Sequence, residues 1–264
     1  MLIAQLSDPH VCAAGLLYKG VADSNRLFSD AIRHLQQLDR QPDLVLITGD
    51  LTDEGRPQEY SMFRELLGAL ELPHLLMPGN HDHRENFRQA FFELGYLPTQ
   101  GALHYSIDDH PIRIVALDSC QPEKHHGLID DEGLQWLDQT LSQNRDKPTL
   151  VAIHHPPFKS GIRYIDDYRL FDAESLESIV RAHDNIEAIV CGHVHRAIFR
   201  RWAGTLVVAC PSTCTEIALR LDPAAKGASF MGPPACLLHL WEPSAGMVSH
   251  LSHIGCHPGP YPFF

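Results

Sequence analysis

Five short apolar runs, each followed at once by a side chain able to hold a proton or a metal, constrain this chain more than any other feature. In order they are Leu2-Ile3-Ala4-Gln5-Leu6-Ser7 before Asp8-Pro9-His10, Leu44-Val45-Leu46-Ile47-Thr48 before Gly49-Asp50, Leu75-Leu76-Met77 before Pro78-Gly79-Asn80-His81-Asp82, Leu150-Val151-Ala152-Ile153 before His154-His155, and Ala188-Ile189-Val190-Cys191 before Gly192-His193-Val194-His195. Continuous aliphatic and β-branched runs of this length, separated by helical patterns, read as strands buried on both faces of a helix-covered sheet. Ligands of such sheets gather beyond the carboxyl ends of the strands. The five strands are therefore expected to deliver Asp, Asn and His to one edge of one sheet.

Helical spacing fills the front-half intervals. Leu27, Phe28, Ala31, Ile32, Leu35 and Leu38 predict a helix over 22–38 with Asp23 or Ser24 as its cap, and Tyr60, Phe63, Leu66, Leu67 and Leu70 predict a second one opened by Pro57. Further helices are expected over 85–94, 131–141 and 173–182. His104–Ile107 and Ile112–Leu117 flank Asp108-Asp109-His110-Pro111 as a hairpin, and Pro156 to Gly161 reads as a loop of lid character. Short strands follow His195, over 197–202, 205–210, 235–241 and 247–251. A βαβαβ front half and a strand-rich back half, with no linker or repeat between them, predict two mixed sheets packed face to face with helices outside, in a single domain over 1–264. The strand-rich part, about 197–264, is expected to complete the second sheet. The Pro-rich tail from His257 cannot be helix, and packing on the body is the expectation for it.

With 33 acidic against 21 basic residues the chain carries a formal charge of −12, which opposes a nucleic-acid polymer as partner. An anionic substrate would need another source of attraction, and bound metal is the economical one. No apolar stretch approaches the roughly 20 residues that span a bilayer, and the start runs straight into a strand without a basic leader segment. Seven scattered cysteines without a C-x-x-C pair suit reduced thiols, and a cytoplasmic location is expected. Cys12 and Cys191 read as small buried hydrophobes.

In Asp8-Pro9-His10 and His193-Val194-His195 the polar residues stand two apart, a spacing that turns both side chains to one side of an extended backbone. Carboxylate, imidazole and amide oxygen suit divalent manganese, iron, cobalt or zinc, and the absence of thiolates opposes a structural zinc site. Asp8, His10, Asp50, Asn80, His154, His193 and His195 make seven candidate ligands, enough for two ions if one carboxylate bridges. Two such ions can clamp an in-line displacement at phosphorus and hold a hydroxide nucleophile.

The ordered blocks Asp-x-His, Gly-Asp-x-x-Asp, Gly-Asn-His-Asp, His-x-Pro-Pro and Gly-His-x-His, here Asp8 and His10, Gly49 to Asp53, Gly79 to Asp82, His154 to Pro157 and Gly192 to His195, resemble the calcineurin-like metallophosphoesterases over about residues 1–200. The opening Leu-Ser-Asp-Pro-His and the Thr-Gly-Asp-Leu-Thr-Asp-Glu-Gly block resemble its bacterial cyclic-nucleotide phosphodiesterase and glycerophosphodiesterase branch. The resemblance implies an α/β fold, a four-layer αββα sandwich, and a dinuclear centre. It implies Asp8, His10 and His195 on the first metal, Asn80, His154 and His193 on the second, and Asp50 between them. His81 would be a hydrogen-bond donor or general acid over the substrate, and Asn80 a further substrate contact. It also implies a homo-oligomer, dimer or larger.

The function expected is hydrolysis of small phosphodiesters by attack of a metal-bound hydroxide on phosphorus. A phosphomonoesterase on the same site is the rival; a nuclease and a non-catalytic scaffold rank lower. Asp53 and Asp82 read as turn or supporting residues, His155 as a neighbour of the site, and Asp118 as structural or supporting. Lys159 and Arg163 read as solvated loop, and the surplus among the 18 histidines, His125 and His239 included, reads as unrelated to metal.

Overall fold

The computed structural model describes residues 1–263. In chain order its elements are β1 (Leu2–Leu6), α1 (Ser24–Gln36), β2 (Leu44–Thr48), α2 (Pro57–Leu67), β3 (His74–Met77), α3 (Arg84–Phe91), β4 (Tyr105–Ile107), β5 (Arg113–Leu117), α4 (Asp131–Gln143), β6 (Thr149–Ile153), α5 (Arg163–Asp166), α6 (Ala173–Arg181), β7 (Ile186–Cys191), β8 (Ile198–Trp202), β9 (Thr205–Ala209), β10 (Glu216–Ile217), β11 (Ser229–Phe230), β12 (Ala235–Glu242) and β13 (Gly246–His253). Local chemistry sets the helix starts. Asp23 accepts a hydrogen bond from Arg26 N at 3.1 Å, and Pro57 opens α2 while Glu59 reaches back to Arg56 N at 3.0 Å. The helix expected over 85–94 divides into α3 and a 3-10 turn at Phe92–Leu94, closed by Gly95 in the left-handed region.

The strands form a five-stranded sheet, β13-β12-β1-β2-β3, and a six-stranded sheet, β4-β5-β6-β7-β9-β8, with β10 and β11 as a separate pair. Both large sheets are mixed. β1, β2 and β3 run parallel with β12 antiparallel beside β1, and β5, β6, β7 and β9 run parallel between antiparallel edges. Ala4, Leu6, Val45 and Ile47 face outward onto Phe28, Ile32, Phe63 and Phe87 of the first three helices, while Val151, Ile153, Ile189 and Val207 face Leu137, Leu141, Leu176 and Val180 of α4 and α6. Between the sheets Ile3, Leu44, Leu46 and Met77 pack on Ile114, Leu150, Ala152 and Val190. The result is the expected αββα sandwich of four layers.

Two expectations about the sheets are corrected. The five strands that carry the candidate ligands do not share one sheet: β1, β2 and β3 belong to the first, and β6 and β7 to the second. Nor does the strand-rich part after residue 197 complete the second sheet alone. β8 and β9 join it, whereas β12 and β13 return to the first, where Leu2 pairs with Leu240 and Gln5 with Leu237. That pairing covers the edge of β1, which otherwise would present open backbone groups. The loop after Pro156 also contains the short helix α5. Among the described residues no helix is long and apolar enough to cross a membrane, and all seven cysteines are free thiols.

Candidate metal centre

The seven predicted ligands meet at the carboxyl ends of β1, β2, β3, β6 and β7, in the seam where the two sheets face each other. The backbone brings them there differently from the extended geometry that the two-residue spacing suggested. Asp8, His10, Asp50, His193 and His195 have φ of 51, 45, 48, 68 and 50°, all in the left-handed region. Each such residue costs of order 1–3 kcal/mol, a strain that is held where surrounding structure over-determines it. Gly79 and Gly192 permit close approach: a Cβ on Gly79 would collide with Asp50 Oδ1 and its backbone nitrogen, and one on Gly192 with Ser7 Oγ and Asp8 Oδ2.

One set of donors is Asp8, His10, Asp50 and His195, whose ligand atoms all lie within 4.8 Å of one another. His10 Nε2 is 3.1 Å from His195 Nε2 and 3.7 Å from Asp50 Oδ2, and His195 Nε2 is 3.5 Å from Asp8 Oδ1. The second set gathers on Asn80. Its Oδ1 is 2.8 Å from His193 Nδ1 and 3.2 Å from His154 Nε2, and His154 Nε2 is 3.4 Å from Asp50 Oδ1. Asp50 thus presents one oxygen to each set.

Outer hydrogen bonds fix the ring orientations. His154 Nδ1 donates to Thr48 O at 2.8 Å and His195 Nδ1 to Thr215 O at 3.0 Å, so each Nε2 points inward. Asn80 Nδ2 donates to His125 Nδ1 at 3.3 Å, which turns the amide oxygen toward the two imidazoles. Two carboxylates, an amide oxygen and four imidazoles converge there, and His10 Nδ1 and His193 Nε2 are buried without partners. Carboxylate, imidazole and amide oxygen are the ligand types that a divalent cation takes, and such a cation fits this set.

Protonation follows the same geometry. Burial and the neighbouring His81 push His10 well below the ordinary imidazole range, and burial with His155 and His154 does the same to His193. Burial opposes charge on Asp50, yet His154 and His81 hold it well below the usual carboxylate range. Burial would lower His154 as well, but the Asp50 carboxylate raises it to about 9.

The supporting residues take the places the sequence suggested. Asp82 accepts from Leu51 N, Gly79 N, Thr52 Oγ1 and Tyr60 Oη at 2.9–3.1 Å, and so staples the β2 and β3 turns together. Asp53 receives His81 Nδ1 on its backbone carbonyl at 2.6 Å. His155 hydrogen-bonds Ser119 Oγ at 2.8 Å and the His125 carbonyl at 3.1 Å. Asp118 is structural, accepting from Arg84 Nε and from the backbone of Leu103 and Cys120.

A cavity of about 410 Å³ opens over the centre, lined by His10, Asp50, Asn80, His81, His193 and His195 below and by Tyr164, Ile165, Tyr168 and Ile217 above. Lys159 and Arg163 do not line it. Tyr18, in the loop that follows Asp-x-His, stacks on His10 with ring centroids 4.4 Å apart. Sequence reasoning missed one wall, His125. His125 was one histidine among 18, with no spacing to distinguish it.

Residues 1–197 match the family model described as calcineurin-like phosphoesterase. Over 265 residues the chain is 37% identical to a probable glycerophosphodiester phosphodiesterase of Arcobacter nitrofigilis, covering 100% of this chain and 97% of that one. It is 31% identical to a glycerophosphodiester phosphodiesterase of Enterobacter lignolyticus, covering 99% and 94%, and 28% identical to a 3′,5′-cyclic adenosine monophosphate phosphodiesterase of Escherichia coli, covering 81% and 76%. A dimetal phosphatase of Danio rerio has the same fold, with a TM-score of 0.62 at 14% identity over 97% of this chain and 99% of its own. With the five motif blocks joined at one seam and the family profile matched from residue 1 to 197, the chain belongs to the calcineurin-like phosphoesterase family.

Proposed function

We propose that the protein hydrolyses small organic phosphodiesters, of cyclic-nucleotide or glycerophosphodiester type, with two divalent cations held by Asp8, His10 and His195 on one side, by Asn80, His154 and His193 on the other, and by Asp50 between them. The observation that carries this reading is the disposition of the Asp50 carboxylate, with Oδ2 3.7 Å from His10 Nε2 and Oδ1 3.4 Å from His154 Nε2. One carboxylate offered to two separate donor sets fits two cations and exceeds what one needs. Manganese, iron, zinc and cobalt all suit these donors. Bound there, such cations would neutralise phosphate charge and acidify a water molecule for attack on phosphorus.

The chain's own side chains divide the remaining work. His81 is fixed at two points: its backbone N–H donates to Asp50 Oδ1 at 2.8 Å, and its Nδ1 donates to the Asp53 carbonyl. That leaves Nε2 for the cavity, where the imidazolium form gives its proton to the leaving oxygen. Tyr164, Ile165, Tyr168 and Ile217 bound the space for the leaving group. Among the described residues lining the cavity, Lys19 is the one lysine or arginine, and it lies 3.8 Å from Asp53. A diester carries a single negative charge at phosphorus, and so suits this lining better than a dianionic monoester. The names of the bacterial relatives support the same substrate class.

The test is kcat/KM on a nitrophenyl phosphodiester and on the matching monoester, with protein stripped and reloaded with manganese. The leaving group is common to both, so the ratio reports what the cavity accepts. Diester preference is expected. Monoester preference would overturn the substrate class, and silence on both would overturn the hydrolase reading.

A further inference from the structure

The layer between the two sheets is apolar except at the end that carries the metal centre. There Gln5 and His239 are fully buried, on strands whose other inward residues, Ile3, Leu237 and Trp241, are apolar. Burying two polar side chains costs free energy unless every group is paired, and an apolar pair of similar shape would fill the space without that demand. Here the pairing is complete. Gln5 Nε2 donates to Thr48 Oγ1 at 2.9 Å and to the Cys191 carbonyl at 3.1 Å. Gln5 Oε1 accepts from His239 Nε2 at 3.0 Å, and His239 Nδ1 accepts from Ser249 Oγ at 2.7 Å. Each bond fixes the next, so the carboxamide has one orientation.

The three strand ends joined this way are among the five from which the candidate ligands leave. Gln5 stands three residues before Asp8, Thr48 two before Asp50, and Cys191 two before His193. Thr48 also offers the carbonyl that holds His154 Nδ1, and the Cys191 carbonyl also accepts from Cys210 N at 2.8 Å. The Gln5 carboxamide therefore spans β1 and β2 of one sheet and β7 of the other. Neither Gln5 nor His239 touches the cavity.

We propose that Gln5, held by His239, is a positioning residue for the metal centre, locking the ends of β1, β2 and β7 so that Asp50 and His154 keep their separation from His193. The proposal rests on the ligand set advanced above. Its test is calorimetric titration of stripped protein with manganese alone, beside thermal melting of the metal-free form, for the parent, Gln5→Leu, His239→Leu and His239→Gln.

His239→Gln keeps a donor for Gln5 Oε1 and is expected to bind manganese as the parent does. Gln5→Leu and His239→Leu are expected to bind it roughly 10–100-fold more weakly, as the loss of a supporting hydrogen bond typically does. Should Gln5→Leu fail to fold, the two His239 variants decide between themselves. Unchanged manganese affinity in His239→Leu would overturn the proposal, and so would equal losses in His239→Leu and His239→Gln, which would point to packing alone. A parent that binds no manganese would overturn the ligand set itself, and the positioning role with it; that outcome is distinguishable because it appears before any variant is made.

Discussion

Five of the seven side chains at the centre hold their backbones in the left-handed region, and two of those five are aspartates. Asp and Asn tolerate that region better than most residues with a Cβ, because a short polar side chain can satisfy neighbouring backbone groups. At Asp50 this separates backbone from charge. Asp50→Asn keeps a side chain compatible with φ near 48° and removes the carboxylate offered to both donor sets. The expected outcome is a folded protein by circular dichroism that retains fewer than two manganese ions per chain after gel filtration. Metal content equal to the parent's would refute a bridging Asp50. His81 gives the complementary result, since it touches Asp50 through its backbone N–H and offers only its ring to the cavity. His81→Ala should hold its metal and lose about 10²–10⁴-fold in kcat on a diester, the usual contribution of a positioned proton donor. Loss of metal together with activity would reassign His81 to the ligand set.

At the scale of elements, an aromatic cluster beneath α2 and α3 reaches the site through one hydroxyl. Phe28 stacks on Phe63 at 5.0 Å, Phe63 and Phe87 pack on Phe91, and Tyr60 packs edgewise on Phe87 and Phe91. From that base Tyr60 Oη donates to Asp82 Oδ1 and accepts from His83 N, each at 3.0 Å. Tyr60→Phe should keep the cluster, take the acceptor from His83 N and remove one of the three donors to Asp82 Oδ1, at a cost of about 1–3 kcal/mol in urea denaturation. A change within a few tenths of a kcal/mol would show that water replaces the hydroxyl. This link was not legible in the sequence, where Tyr60 is one apolar-face position among several. The strands that carry the candidate ligands were legible because both faces of each are buried, which writes a nearly uninterrupted apolar run. The candidate site was legible because its Asp, Asn and His residues stand immediately after those runs. Sheet membership was not: the pairing of Leu2 with Leu240 joins residues at opposite ends of the chain and leaves no local pattern. Gln5 and His239 escaped notice for a related reason, since a single polar residue in a strand looks like ordinary alternation until the facing sheet is in place.

For the molecule as a whole, His239 turns the polar seam between the sheets into a dependence of stability on pH. Burial pushes its imidazole from the ordinary 6.5 down to about 4, and its Nδ1 is occupied as an acceptor from Ser249. Between those two values the unfolded chain binds a proton that the folded chain refuses. The stabilisation is therefore complete above about pH 6.5 and drains away as pH falls toward 4, at about 1.4 kcal/mol per unit. At pH 5 this group alone accounts for a loss of about 2 kcal/mol. Buried His10, His155 and His193 contribute in the same direction in metal-free protein and His154 and His195 in the opposite one, so the parent's acid sensitivity by itself assigns nothing. Subtraction against His239→Gln isolates the term, because glutamine occupies the seam without titrating. Urea denaturation of metal-free parent and variant at pH 7 and at pH 5 should show the parent losing about 2 kcal/mol more than the variant. Parallel losses in the two proteins would mean that His239 takes up its proton in the folded state, which the hydrogen bond from Ser249 Oγ to its Nδ1 opposes.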